Sequence, residues 1–195
     1  MDMIAATNNS HKLEEIRDIL KVKGIEIKSL ADAGLDIEIE ENGDTFVENA
    51  LIKAREVCRL TGEAAIADDS GLEVKALKGQ PGVKSARYSG ATGADKDVKN
   101  NEKLKKAMQD IPDNERGARF CSAIAAVFPD GKEITAEGYV YGKIGYVEKG
   151  EHGFGYDPLF IIDGYNKTMA EIDSSEKNKI SHRANALKEF IKKLE

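Results

Sequence analysis

The stretch that most constrains this chain is Ala64–Val74, which reads Ala-Ala-Ile-Ala-Asp-Asp-Ser-Gly-Leu-Glu-Val. Its opening residues are small and apolar, the pattern of a strand buried on both faces. Asp68 and Asp69 interrupt that run, Ser70-Gly71 reads as a turn pair, and apolar alternation resumes at Leu72 and Val74. Carboxylates at the end of a buried strand are costly unless something compensates them. A divalent cation that favours hard oxygen ligands, such as magnesium, is one compensation; an Asx turn capping the strand is another. Successive side chains on extended backbone point to opposite sides, so Asp68 and Asp69 face different surroundings. One can serve a metal or a water while the other braces the loop.

The 195 residues suffice for one substantial core, or one domain with two lobes. No repeat, low-complexity tract or linker divides the chain, so residues 1–195 read as a single domain. The formal charge of −6 excludes a generic nucleic-acid or anionic-membrane binder. Any polyanion must therefore be held by a local basic pocket or by metal ions. No signal peptide is expected, and no apolar run approaches the ~20 residues that span a bilayer. Cys58 and Cys121 lie in apolar surroundings without metal-ligand spacing and read as reduced core thiols, which points to the cytoplasm.

Other segments carry polar groups in unusual places. A short strand at Met3–Ala6 runs through Thr7-Asn8-Asn9-Ser10 into a helix over Lys12–Val22, an order that aims a helix N-terminus at one spot. Such a spot suits a phosphate, or is only an N-cap with a polar turn. Ile25–Leu30 alternates like a strand. Asp36–Glu41 also alternates, with acids on its polar side: a solvated edge strand, or one that points Glu40 or Glu41 into a metal site. Thr45-Phe46-Val47-Glu48 is a capping box that starts a helix ending near Gly62. Lys53 lies beside that helix's apolar stripe, either snorkelling to water or leaning over a cleft. Asp95–Gln109 reads as a charged peripheral helix, and Ala118–Phe128 and Glu133–Val140 as a hairpin around Pro129–Lys132. Gly150–Pro158 brings glycines, Phe154, Tyr156 and Asp157 before an apolar strand; an exposed Phe there can stack on a base, or the aromatics are buried in a tight strand entry. His182 and Arg183 begin the last amphipathic helix, a place for cations only if an anion or a carbonyl oxygen lies nearby.

Taken in order, Thr7–Lys12, Thr45–Ala50 with Lys53, Ala67–Leu72, Pro81-Gly82, Ser85–Tyr88, Gly153–Pro158 and Ser181–Arg183 resemble the inosine/xanthosine triphosphate pyrophosphatases, which remove non-canonical purine nucleotides. The resemblance runs essentially end to end. It departs at Asn8, where many relatives carry Gly, which bears on the local loop geometry. The resemblance implies an α/β fold, an elongated mixed central sheet with flanking helices and two lobes around a substrate cleft, assembled as a homodimer. It implies that Thr7, Asn8, Asn9, Ser10, His11 and Lys12 hold the triphosphate, with Lys53 neutralising charge. It implies Glu40 and Asp69 as magnesium ligands, with Asp69 also the catalytic residue that orients or deprotonates water, and Ser70 on the substrate. Phe154 would stack on the purine, Gly155, Tyr156 and Asp157 would wall the pocket, and Lys177, His182 and Arg183 would read the 6-oxo edge. Two other readings use the same residues: a pyrophosphatase for modified pyrimidine nucleotides, and a purine-nucleotide sensor without turnover. The sensor would not need Glu40 and Asp69 together.

Overall fold

The structure is a computed structural model describing residues 1–195. Strands β1 (Asp2–Ala5), β2 (Glu26–Lys28), β3 (Ala65–Val74), β4 (Gly117–Val127), β5 (Glu133–Ile144) and β6 (Phe160–Ile162) form one sheet in the order β2-β1-β3-β4-β5-β6. β1 runs parallel to β2 and β3, whereas β5 and β6 are antiparallel, so the sheet is mixed. Helices α1 (Ser10–Lys21), α2 (Phe46–Thr61), α3 (Lys96–Ala107), α4 (Ser174–Ile180) and α5 (His182–Leu194) flank it. The expected α/β class holds. None of these helices is long and apolar enough to cross a membrane.

The chain resolves into two compact units, and β3, β4 and β5 each thread both. The first comprises Met1–Asp69, Ser122–Gly138 and Ser181–Glu195. Its core joins Met3, Ile16, Leu20, Ile66, Ile124, Leu187 and Phe190. The Thr45 capping box forms as expected, and α2 ends on Gly62 in the left-handed conformation. Gly138 on β5 is required by close approach: a Cβ there would overlap the backbone of His182 and Ala186 on α5.

The second unit comprises Ser70–Cys121 and Tyr139–Ile180, with Leu72, Leu104, Met108, Phe120, Val140, Phe160 and Met169 in its core. Arg116 is almost fully buried, and its partners are all carbonyl oxygens: Ile144 at 2.7 Å, Met108 at 2.7 Å, Ile111 at 3.1 Å and Gly145 at 3.0 Å. Met108 is the C-cap of α3, so a cation there also suits the helix dipole. Tyr146 stacks on the guanidinium, its centroid 4.0 Å away.

Three local expectations are corrected. Ser70-Gly71 is not a turn: β3 runs unbroken from Ala65 to Val74. Asp36–Glu41 is not a strand; the segment keeps its in-out alternation but pairs with no neighbour. α3 is not peripheral, because Asn100, Asn101 and Leu104 are buried.

Replacing Arg116 with Ala strands four carbonyls and should cost at least ~3 kcal/mol, since hydrogen bonds to a charged group contribute ~1.5–3 kcal/mol each. Urea titration should show a lower midpoint at unchanged slope; an unchanged midpoint would mean that water reaches those carbonyls.

Candidate active site

In the first unit the polar residues converge on β3. The loop after β1 is tied internally: Thr7 Oγ1 accepts from Asn9 N–H at 3.1 Å, and Asn9 Oδ1 caps α1 by accepting from Lys12 N–H at 3.2 Å. Asn8 donates through Nδ2 to Ile37 O at 2.9 Å. Its φ is not positive, so a non-glycine residue there imposes no left-handed strain. Ser10 and His11 form the exposed first turn of α1, and Lys12 turns inward to Asp68, Nζ to Oδ2 at 2.8 Å.

Asp68 has no solvent exposure. Besides Lys12 it receives Arg183 Nη2 on Oδ2 at 3.1 Å and a short hydrogen bond from Ser122 Oγ on Oδ1. Burial alone would raise its proton affinity, but Arg183 and Lys12 hold it well below the ordinary carboxylate range. The same burial lowers the proton affinity of Lys12, which Asp68 partly restores. Arg183 also meets Glu15, so the anion at the start of α5 is supplied by the protein's own carboxylates.

Asp69, one residue on, has the opposite character. It is buried, and its pKa is pushed up to about 6 by that burial, with Lys53 and Lys12 opposing and Glu41 and Asp68 adding to the rise. Lys53 is buried too, on the inner face of α2. Its Nζ lies 2.9 Å from Asp68 O, 3.1 Å from Glu41 Oε1 and 3.9 Å from Asp69 Oδ1. The acid brought to this point is Glu41. Glu40 is exposed and lines a groove with Ile37, Ile39, Ile52, Arg55 and Arg59. Asn49, one turn before Lys53 and fully buried, fixes the segment by accepting from Gly43 N–H at 2.8 Å. Asp69 and Glu41 offer hard oxygen donors around excess negative charge, which fits a hard divalent cation such as magnesium. Their number is small, and no cluster of three or more such ligands forms; magnesium commonly completes its shell with waters and substrate phosphates.

In the second unit, residues 153–157 fold back on themselves. Asp157 Oδ2 accepts from Phe154 N–H at 3.1 Å and from Lys177 Nζ at 2.9 Å, both partners of a buried pair. Lys177 Nζ also lies 4.8 Å from the centre of the Phe154 ring. Gly153 is dictated by this fold, because a Cβ would strike the Asp157 carboxylate. Tyr156 is buried and donates to Ser85 O at 2.6 Å; Ser85 Oγ in turn accepts from Leu72 N–H at 2.9 Å. Burial raises the Tyr156 phenol above its ordinary range, so it stays a donor. Ser70 is half-buried on β3, and His182, in the first unit, is buried at the start of α5.

A model of the Ham1 family matches residues 3–193. The chain belongs to the Ham1 family. Among curated Ham1 relatives, the dITP/XTP pyrophosphatase of Bacillus subtilis (strain 168) is 48% identical over 194 residues, covering 100% of this chain and 97% of that protein. The dITP/XTP pyrophosphatase of Clostridium perfringens (strain 13 / Type A) is 49% identical over 193 residues, 96% and 94% of the two chains. A solved HAM1 protein from Coxiella burnetii superposes with a TM-score of 0.88 at 38% identity, covering 100% of this chain and 98% of that one. The nucleoside-triphosphatase / dITP/XTP pyrophosphatase from Mycobacterium abscessus superposes at 0.78 with 46% identity, covering 97% and 98%.

The two adjacent aspartates should respond oppositely to mutation. Asp68→Ala leaves Lys12 and Arg183 buried without their shared anion and should cost ~3–5 kcal/mol. Asp69→Asn should leave the unfolding midpoint equal or higher at neutral pH. A buried carboxylate with a raised pKa opposes folding while ionised, and that cost fades as the pH falls through about 6. Urea midpoints at pH 7.5 would check both, and a large loss in Asp69→Asn would contradict the assignment.

Proposed function

We propose that this protein is a hydrolase that converts the non-canonical purine nucleoside triphosphates XTP, ITP and dITP to the monophosphate and pyrophosphate, and so removes deaminated purines from the nucleotide pool. Support comes from full-length relatives near half identity that carry the name dITP/XTP pyrophosphatase. The observation that carries the mechanism is Asp69, a buried carboxylate of raised proton affinity that shares Lys53 with Glu41.

Hydrolysis at the α-phosphorus needs an oriented water and a way to stabilise charge on the transferring group and on the leaving pyrophosphate. Asp69 orients that water through its carboxylate and accepts its proton. Lys53 and Lys12 neutralise phosphate charge that a chain of net charge −6 would otherwise repel. The loop Thr7–Lys12 receives the phosphates at the N-terminus of α1. Asp69 and Glu41 are the residues that would hold magnesium, with Glu41 in the part first expected of Glu40. When bound, the ion supplies electrostatic stabilisation of phosphate charge. Phe154 stacks on the purine, with Lys177 and His182 as donors toward a 6-oxo group. Adenine would oppose those donors with its 6-amino group, and unpaired buried donors can reject a wrong substrate by ~10⁴. Arg183 acts through Asp68, which it helps to fix. A homodimer and a cytoplasmic location belong to the same reading, on the strength of the resemblance.

A turnover panel tests this. XTP, ITP and dITP with magnesium should yield pyrophosphate, ATP and GTP little, and chelation should stop all of it. Asp69→Asn should lower turnover by ~10³ or more while ITP still binds. Orthophosphate as the product, or full activity in Asp69→Asn, would overturn the reaction assignment. Tight ITP binding without any turnover would favour the sensor.

A further inference from the structure

The segment expected to wall the base pocket has most of its backbone polar groups already engaged. Phe154 N–H and O are taken by Asp157, Tyr156 O accepts from Leu159 N–H, and Asp157 O accepts from Ala170 N–H. The Gly155 peptide groups are taken from outside the segment, by one helix. Asp97 Oδ2 accepts from Gly155 N–H at 3.0 Å, and Asn101 Nδ2 donates to Gly155 O at 2.9 Å. Asp97 and Asn101 stand one turn apart on the same face of α3. Between them, Asn100 holds the loop that carries the Tyr156 partner: its Oδ1 accepts from Ser89 N–H at 2.8 Å and its Nδ2 reaches Ser85 O at 3.3 Å. The other end of α3 is fixed by Leu104 in the core and by Arg116 on the Met108 carbonyl. Gly155 has a φ of +61°, a left-handed conformation that glycine adopts without strain.

We propose that α3 is the positioning helix of the base site: Asp97 and Asn101 grip the Gly155 peptide from both sides, so that residues 154–157 offer a purine the face of Phe154 as a preformed platform rather than their own backbone hydrogen bonds. This rests on the reading that Phe154 stacks on the base. A gripped platform has two consequences. Freeing Gly155 weakens binding of every purine alike, because stacking is tolerant of base identity. It leaves the discrimination between bases to Lys177 and His182.

The test combines kinetics with amide hydrogen exchange on the full-length enzyme. Asp97→Ala and Asn101→Ala should each raise KM for XTP and for dITP roughly tenfold, within the range that loss of base–aromatic stacking spans. The value of kcat should stay within about threefold, and the XTP-to-GTP ratio of kcat/KM should stay within about twofold. Asp97→Asn, which keeps an oxygen acceptor for Gly155 N–H, should recover most of what Asp97→Ala loses. In the unliganded enzyme, exchange at the Gly155 amide should quicken in Asp97→Ala and not in Asp97→Asn. Unchanged KM in both alanine variants, with a raised KM in Phe154→Ala, would overturn the clamp while leaving the stacking reading intact. A shift in the XTP-to-GTP ratio would overturn the platform and make this segment an edge reader. Loss of Gly155 protection in an enzyme that turns over no purine triphosphate would support the clamp and put the failure in the function reading.

Discussion

The first unit depends on one buried carboxylate. Asp68 joins α1 through Lys12, β4 through Ser122 and α5 through Arg183, elements that lie far apart in the chain. Glu15 completes the set, so buried Arg183 and half-buried Lys12 meet two carboxylates. Such a network is a poor source of net stability, because desolvation offsets much of the attraction. What it supplies is geometry. With the Asp68 side chain held by these partners and its carbonyl held by Lys53, the next residue on β3 has little freedom. Asp69 is thereby held in place, and its burial raises its proton affinity.

Adjacent aspartates therefore sit in opposite electrostatic surroundings, and the proposed reaction would give them different tasks. A carboxylate that braces a fold should be saturated by the protein's own cations, and one that serves a substrate or a metal should not be. Strand alternation resolves the conflict at no cost in sequence length, since neighbouring side chains leave the backbone on opposite sides. The sequence pattern was enough to anticipate that the two side chains face different surroundings. It was not enough to show which aspartate braced, because the partners Lys12, Ser122 and Arg183 become neighbours only on folding.

Local signals were legible where local physics decides. The capping box at Thr45, the glycine stop at Gly62 and the Asn9 cap of α1 all form as their spacing requires. Ser70-Gly71 misled because turn propensity is a weak preference, overridden here by a strand that continues to Val74, past the residues paired with β1. Asp36–Glu41 misled in the converse way: its alternation reflects one half-buried side, yet no strand lies alongside to pair with it. Alternation alone could not choose between Glu40 and Glu41, whereas the Asn49–Gly43 bond and the reach of Lys53 bring Glu41 to Asp69. The inward asparagines of α3 were hidden by the lysines around them, since a polar residue on a charged helix gives no sign of which face it occupies.

The central claim is that Asp69 directs water to the α-phosphorus, and oxygen tracing tests it most directly. Hydrolysis of XTP or dITP in ¹⁸O-labelled water, followed by mass spectrometry of both products, reports which phosphorus is attacked. The account predicts one labelled oxygen in the nucleoside monophosphate and none in the pyrophosphate. Label in the pyrophosphate would place the attack on the β-phosphorus and contradict the role assigned to Asp69.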